Sequence, residues 1–268
     1  MSSAVAKPGV AVITGASSGI GAVYADRLAK RGYDLILVAR RGDRLEALAK
    51  RLRADAGVSV ENIVADLAKP ADLDRVASLI AADARITMLV NNAGTATLAS
   101  LAKTGTADQD AMIALNITAL TRLSLAILPA FIARDRGTIV NIASVLSFQT
   151  LPISGVYSGT KGYVMNFTRG LQDEVAGRNI TIQLVLPAAT RTEIWDVGGV
   201  PISAIDPAHV MSAEDLVDAA LAGLDTGETI SLPSLEQDGL WTEYDSAREK
   251  LFGATQRGVP ASRYHLTR

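Results

Sequence analysis

The chain has no cysteine and only two histidines, His209 and His265. The first absence excludes disulfides and thiolate zinc sites, and the second leaves too few imidazoles for a histidine-rich metal centre, so no metal is expected. Aromatic residues are scarce, at 4%, whereas alanine and glycine are plentiful, which suits close packing of helices on a sheet. Neither sign of charge dominates: 26 Lys and Arg stand against 28 Asp and Glu, for a formal net charge of -2. That balance offers no electrostatic case for nucleic acid or for an anionic membrane as a partner. No stretch reaches the roughly 18 continuous apolar residues of a membrane span. The start, MSSAVAKPGVAVITG, sets Lys7 and Pro8 ahead of a short apolar run where a secretory leader would have a long one. The expectation is a soluble, cytoplasmic protein, and 268 residues suffice for a large core.

What the chain does have is alternation. Short β-rich apolar runs occupy residues 10–14, 35–39, 60–65, 88–90, 138–143, 181–186 and 229–232, and longer helical patterns occupy 20–30, 45–54, 73–82, 107–131, 156–175 and 213–224. Strand followed by helix, repeated with no Pro/Gly/Ser-rich linker, implies parallel strands, right-handed crossovers and helices on both faces. The expected fold class is α/β: one Rossmann-like doubly wound domain over residues 1–268, with a parallel sheet of about seven strands. Two stretches depart from the rhythm. Residues 190–209 carry Gly198-Gly199, Pro201 and Pro207, and residues 233–268 form an irregular tail with Trp241 and Tyr244. Long loops in compact domains tend to be lids or binding loops, which marks 190–209 as a substrate loop.

Directly after the first strand comes TGASSGIG, Thr14 to Gly21, with glycines at 15, 19 and 21. The spacing is G-x-x-x-G-x-G, not the commoner G-x-G-x-x-G, but the physics is shared. Small residues let the backbone turn tightly and approach a pyrophosphate, and the following helix offers free N–H groups and the positive end of its dipole. Further along, NNAG (residues 91–94) follows a strand, Asn116 lies in the apolar helical stretch AMIALNITAL, and Ser144 closes IVNIAS. Tyr157-x-x-x-Lys161 stands 13 residues beyond that serine, and LPAATRT (residues 186–192) follows the sixth strand. In order and spacing these motifs resemble those of the short-chain dehydrogenase/reductase family over nearly the whole chain. One departure is Ala188, where the family usually has glycine after the proline.

The resemblance implies a nicotinamide dinucleotide held by Gly15, Ser17, Ser18, Gly19, Ile20 and Gly21, by Asn92, Ala93 and Gly94, and by Pro187, Thr190 and Thr192, with Asp66 and Leu67 at the adenine. The second strand ends LILVARRGDR, with Ala39, Arg40 and Arg41 where NAD-preferring relatives place an acid. A carboxylate there would repel a 2′-phosphate, whereas a guanidinium pairs with one. NADP(H) is therefore expected in preference to NAD(H), through Arg40 and Arg41, with Asp43 capping the next helix ahead of Glu46.

Four helical residues turn the chain by about 400°, so Tyr157 and Lys161 leave one face of their helix. A tyrosine with its ordinary pKa of about 10 is a poor proton shuttle near neutrality, and a neighbouring ammonium would favour phenolate. On that reasoning Lys161 tunes Tyr157, the general acid/base, and by resemblance also bonds the nicotinamide ribose and the cofactor is held by both residues. Ser144 hydrogen-bonds the substrate oxygen beside Tyr157. Asn116, a buried amide that needs partners, is tied in the family to a water that links the lysine to solvent. Tyr24 and Tyr163 are read as packing residues.

Substrate specificity is expected from loops at the carboxyl ends of the strands, over residues 95–101, 145–156 and 190–209. Val145, Leu146, Ile194 and Trp195 join Ser144 and Tyr157 as the expected substrate contacts. No Arg or Lys lies in 145–156, so the expected substrate is a neutral, hydrophobic ketone, aldehyde or secondary alcohol. In relatives the helices equivalent to 107–131 and 156–175 pair across a two-fold axis, implying a homodimer or homotetramer. The tail either covers the site or lies at an interface. Two other readings stand beside this one: an NAD(P)+-dependent alcohol or sugar dehydrogenase, and a non-catalytic NADP(H)-sensing protein on the same scaffold. Sensors of that kind often lose the tyrosine or the lysine, and both are present here.

Overall fold

A computed structural model of the chain describes residues 7–265. Seven runs form strands: β1 (Val10–Thr14), β2 (Asp34–Ala39), β3 (Val60–Val64), β4 (Ile86–Asn91), β5 (Gly137–Ile142), β6 (Ile180–Val185) and β7 (Ile230–Ser231). They pair in parallel in the order β3-β2-β1-β4-β5-β6-β7. Helices α1 (Gly19–Lys30), α2 (Gly42–Ala56), α3 (Pro70–Ala82), α4 (Thr106–Ile113), α5 (Leu120–Ala133), α6 (Gly155–Glu174), α7 (Ile194–Gly198) and α8 (Ala213–Asp225) follow the strands.

Side chains alternate across the pleat, so each strand feeds two cores. Ala11 and Ile13 of β1 join Tyr24 and Leu28 of α1, Leu45 and Leu52 of α2 and Leu216 of α8 on one face. Val10 and Val12 join Leu73 and Val76 of α3, Leu123 and Phe131 of α5 and Leu171 of α6 on the other. The strand order reverses between β1 and β4. Ligand crevices in such sheets open outside the carboxyl ends of the strands at this point, which is where Thr14-Gly15 and Asn91-Asn92 come together.

The structure revises several details of the elements expected. The stretch 107–131 is not one α-helix: a π-helical segment, Ala114–Ala119, separates α4 from α5, with Asn116 inside it. Such widened turns are rare and gather at functional sites. By length and composition the continuous run Thr106–Ala133 is apolar enough to cross a membrane, with mean hydropathy 1.7 over its best window. Its inner side, however, buries Leu123, Ile127 and Phe131 in the second core. Asp43 does not cap α2; Arg41 holds the cap position and Asp43 lies in the first turn, where a carboxylate complements the helix dipole. The excursion 190–209 contains α7 and is closed at its neck by a parallel bridge between Thr190 and Met211.

The chain divides into two compact units after Ser234, two residues into the tail set apart in the sequence. Taken by itself, the second unit is not irregular: it holds a 17-residue helix, α9 (Gly239–Thr255). The stripe Leu240, Tyr244, Ala247 and Leu251 recurs at helical spacing, which explains the helix. Trp241 and Tyr244 pack at 5.2 Å between ring centroids.

Candidate active site

The crevice is built first from the ends of β1 and β4. The buried Thr14 hydroxyl donates to the Val90 carbonyl and accepts from the N–H groups of Asn92 (3.0 Å) and Ala93 (2.9 Å). The Asn92 amide donates back to the Thr14 carbonyl at 2.8 Å. Thr14 is thus the rivet between the glycine turn and NNAG. It was missed as a site residue; its only signal is its place as the last strand residue before the turn.

The glycines have steric reasons. A Cβ on Gly15 would meet Asn92 Nδ2 at 2.7 Å and Ala93 Cα at 2.9 Å, and one on Gly21 would meet the Gly15 carbonyl oxygen at 2.5 Å. Ser18 holds the cap position of α1 without capping it, so first-turn N–H groups face the turn unbonded by that hydroxyl. Bare backbone beside a twelve-residue helix N-terminus fits a pyrophosphate. Gly94 is less tightly constrained: its Cβ would lie 3.3 Å from Asn116 Oδ1 and 3.7 Å from Lys161 Nζ.

Strand β5 delivers Ser144 and α6 delivers Tyr157 and Lys161. Ser144 is buried; its hydroxyl donates to the Pro187 carbonyl at 3.4 Å and accepts from the Leu146 N–H at 3.1 Å. Burial pushes the half-buried Tyr157's phenol up to about 12, offset in part by a hydrogen bond with Ser144. The Lys161 ammonium donates to the Ile142 carbonyl at 3.0 Å and sits 5.8 Å from the centre of the Tyr157 ring. Burial lowers the pKa of Lys161 to about 8. The expected tuning of Tyr157 by Lys161 is therefore absent from this arrangement: the ammonium is committed to a carbonyl, and desolvation decides both groups. Asn116 is equally committed. Its amide donates to the Thr95 carbonyl (2.9 Å) and the Thr160 hydroxyl (3.1 Å), and its oxygen accepts the Thr95 N–H at 2.9 Å. Its side chain holds the strand-four loop against α6, a positioning role.

Of the two arginines, Arg41 reaches the glycine turn, donating to the hydroxyls of Ser17 (3.0 Å) and Ser18 (2.6 Å), while Arg40 is exposed. Asp66 accepts the Ala68 N–H at 3.2 Å in a turn of its own, and the Leu67 side chain is buried in the core. Ile20 packs against the first core from the start of α1. Thr190 is buried, its hydroxyl donating to the Ala188 carbonyl at 3.0 Å. Among the described residues only Asp135 and His265 adopt positive φ without being glycine, so Ala188 in the place of the family's glycine carries no left-handed strain.

The excursion 190–209 packs against the glycine turn and the loop after β4. Thr192 lies against Gly19, whose Cβ would come within 3.1 Å of the threonine methyl. The Trp195 indole donates to the Thr190 carbonyl at 2.7 Å, and the Leu98 N–H donates to the Gly198 carbonyl at 2.7 Å. Val145, Leu146, Ile194 and Trp195 are half-buried, and Phe148, Leu151, Ile153 and Val197 are exposed and apolar. Tyr24 is fully buried, as packing demands. Tyr163, in contrast, is 38% exposed, stacked on Phe167 and bonded to the Thr121 hydroxyl.

A family model described as short chain dehydrogenase matches residues 9–197. Among curated proteins, the very-long-chain 3-oxoacyl-CoA reductase-B of Danio rerio is 33% identical over 188 residues, covering 69% of this chain and 60% of its own. The match thus spans less than two thirds of that relative's length. Among solved structures, a short-chain dehydrogenase from Sphingobium yanoikuyae in complex with NADPH superposes with a TM-score of 0.92 at 45% identity, covering 96% of this chain and 100% of that one. A bulky-bulky ketone specific alcohol dehydrogenase from Comamonas testosteroni superposes with a TM-score of 0.87 at 39% identity, covering 96% of this chain and 98% of that one. With a family match running from just before β1 into α7, the chain belongs to the short-chain dehydrogenase family of oxidoreductases.

Proposed function

We propose that the protein is an NADP(H)-dependent carbonyl reductase, working reversibly as a secondary-alcohol dehydrogenase, on neutral and bulky apolar substrates. The observation that carries this reading is the gathering of Ser144, Tyr157 and Lys161 beside the glycine cradle, with Arg41 at its adenosine end. The NADPH in the Sphingobium yanoikuyae structure and the ketones named for the Comamonas testosteroni enzyme support it.

Nicotinamide, when bound in reduced form, supplies the hydride to the carbonyl carbon. The chain supplies the proton and the alignment. With its pKa raised to about 12, the Tyr157 phenol is fully protonated at neutral pH and is set as the acid of the reductive direction. The Tyr157 Oη proton passes to the substrate oxygen as negative charge grows there, and Ser144 donates a second hydrogen bond to the same atom. Lys161, protonated below about pH 8, stabilises the phenolate left behind, once turned from Ile142. Val145, Leu146, Ile194 and Trp195 line the substrate side, and no Arg or Lys from 145–156 offers a partner to an anionic substrate. Exposed Leu125 and Tyr163 on α5 and α6 support a homo-oligomer, and the absence of cysteine suits a cytoplasmic enzyme.

The test is NADPH oxidation across a panel of aryl ketones, diketones, aldehydes, steroids and sugars, with NADH and Tyr157→Phe alongside. Turnover of bulky apolar ketones that falls at least about 10³-fold in Tyr157→Phe, with NADPH binding unchanged, is the expected result. A variant that keeps a tenth of the rate would place the proton donor elsewhere. NADPH binding without turnover on any carbonyl or, in reverse, any alcohol would favour the sensing protein.

A further inference from the structure

The acceptors around Arg41 include one that no cofactor motif contains. Glu193, in the turn that opens α7, places one carboxylate oxygen 2.6 Å from Arg41 Nη1 and the other 2.5 Å from Arg44 Nη1. The same Arg41 guanidinium holds Ser17 and Ser18. One carboxylate therefore ties the substrate loop to the rim of the glycine turn, across 152 positions of sequence. Next to it, Thr192 lies on Gly19. The loop's neck is fastened separately by the Thr190–Met211 bridge, with the Met211 N–H donating to Ala189 and the Arg191 N–H to Met211. The neck and the Leu98–Gly198 bond at the segment's far end both lie outside the strands, so residues 192–198 can lift from the turn between these two anchors without loosening the sheet.

Building on the NADP(H) reading, we infer that Glu193 is an internal substitute for the cofactor's 2′-phosphate: it occupies the two arginines until a 2′-phosphate displaces it, and its displacement frees the first turn of the substrate loop. The chemistry favours the exchange. A phosphate monoester offers three oxygens and up to two charges to a guanidinium pair, against one charge and two oxygens from the carboxylate. A ribose 2′-hydroxyl carries no charge and leaves the carboxylate in place. The two arginines hold the Glu193 pKa down to about 2, so the latch is ionised at every working pH. Both ion pairs are partly exposed, with the Glu193 side chain 46% accessible, which makes them exchangeable. Glu193 is by this reasoning a determinant of cofactor discrimination that couples nucleotide choice to opening of the substrate loop.

The test uses adenosine 2′,5′-bisphosphate and 5′-AMP as probes, titrated calorimetrically into the wild type and Glu193→Gln, with amide hydrogen exchange followed over residues 190–200. The bisphosphate should bind the wild type more tightly than AMP does, and bind Glu193→Gln about fivefold tighter still, with AMP affinity unchanged. In the wild type, the bisphosphate and not AMP should speed exchange at 192–198, and in Glu193→Gln that segment should exchange fast without ligand. If the bisphosphate binds no better than AMP in either protein, both the NADP(H) reading and the latch are overturned. If it binds better than AMP but Glu193→Gln gains no affinity, or exchange at 192–198 does not respond, the latch alone is overturned and the cofactor preference stands.

Discussion

Replacing Lys161 with methionine should make the protein more stable while removing its activity. The side chain is 6% exposed, and its one hydrogen-bond acceptor is the Ile142 carbonyl. Burial lowers its pKa from 10.5 to about 8. At about 1.36 kcal/mol for each tenfold change in proton affinity, keeping the ammonium inside costs the fold roughly 3 kcal/mol near neutrality. Methionine removes that cost and fills the same channel, and it forfeits an amine–carbonyl bond worth about 1 kcal/mol. The balance is about 2 kcal/mol in favour of the variant at pH 7, or roughly 4–8 °C in melting temperature for a chain of this size. The pH dependence gives the sharper check. Between about pH 8, where folded Lys161 releases its proton, and 10.5, where the unfolded chain does, the unfolded state binds more protons, so wild-type stability rises with pH. Lys161→Met lacks that rise, and the gap in melting temperature should close by about pH 9.5. Measurements stay below pH 10 because Tyr157, raised from 10.0 to about 12, has the opposite sign there: its unfolded form ionises first and erodes stability. Thermal melts of both proteins at pH 7 and 9.5 decide it. A variant that melts below the wild type at pH 7, or a gap that stays constant with pH, would refute the view that this ammonium is held at a cost for the sake of chemistry.

Thr14→Val should destabilise by about 3 kcal/mol, since it strands the N–H groups of Asn92 and Ala93 inside the crevice; a loss under about 1 kcal/mol in urea titration would mean that the two ends of β1 and β4 do not depend on this rivet. Gly21→Ala should weaken NADPH binding more than about tenfold, because its Cβ would lie 2.5 Å from both Asn92 Nδ2 and the Gly15 carbonyl oxygen. Gly170→Ala on α6 is the matched control, with open space around the new methyl, and should raise stability by about 0.8 kcal/mol with NADPH affinity unchanged. Equal effects of the two substitutions on NADPH titrations would remove the steric argument for the cradle.

The α/β alternation, the glycine spacing and the Tyr157–Lys161 face were legible because each depends on a short-range rule: period two for a strand, 3.6 for a helix, a tight turn between them. Arrangement in three dimensions decided what those rules leave open. Two adjacent arginines are equivalent as letters, yet Arg41 turns onto Ser17 and Ser18 while Arg40 faces solvent. The π-helical segment around Asn116 has no signature in an apolar run, and the amide's partners, Thr95 and Thr160, come from a loop and another helix. The helix in the tail reads in the sequence as irregular chain, because the Gly and Pro residues on either side obscure the spacing of Leu240, Tyr244 and Leu251. By itself, then, the sequence determined the order of elements and the family's constellation of groups, since local periodicity and spacing carry both. Only the tertiary structure decided the state of those groups: Lys161 drawn to a carbonyl, Tyr157 shielded and protonated, and Glu193 seated on Arg41 and Arg44. Proton affinity and ion pairing depend on what the fold brings within a few ångströms, and most of those neighbours are far away in the chain.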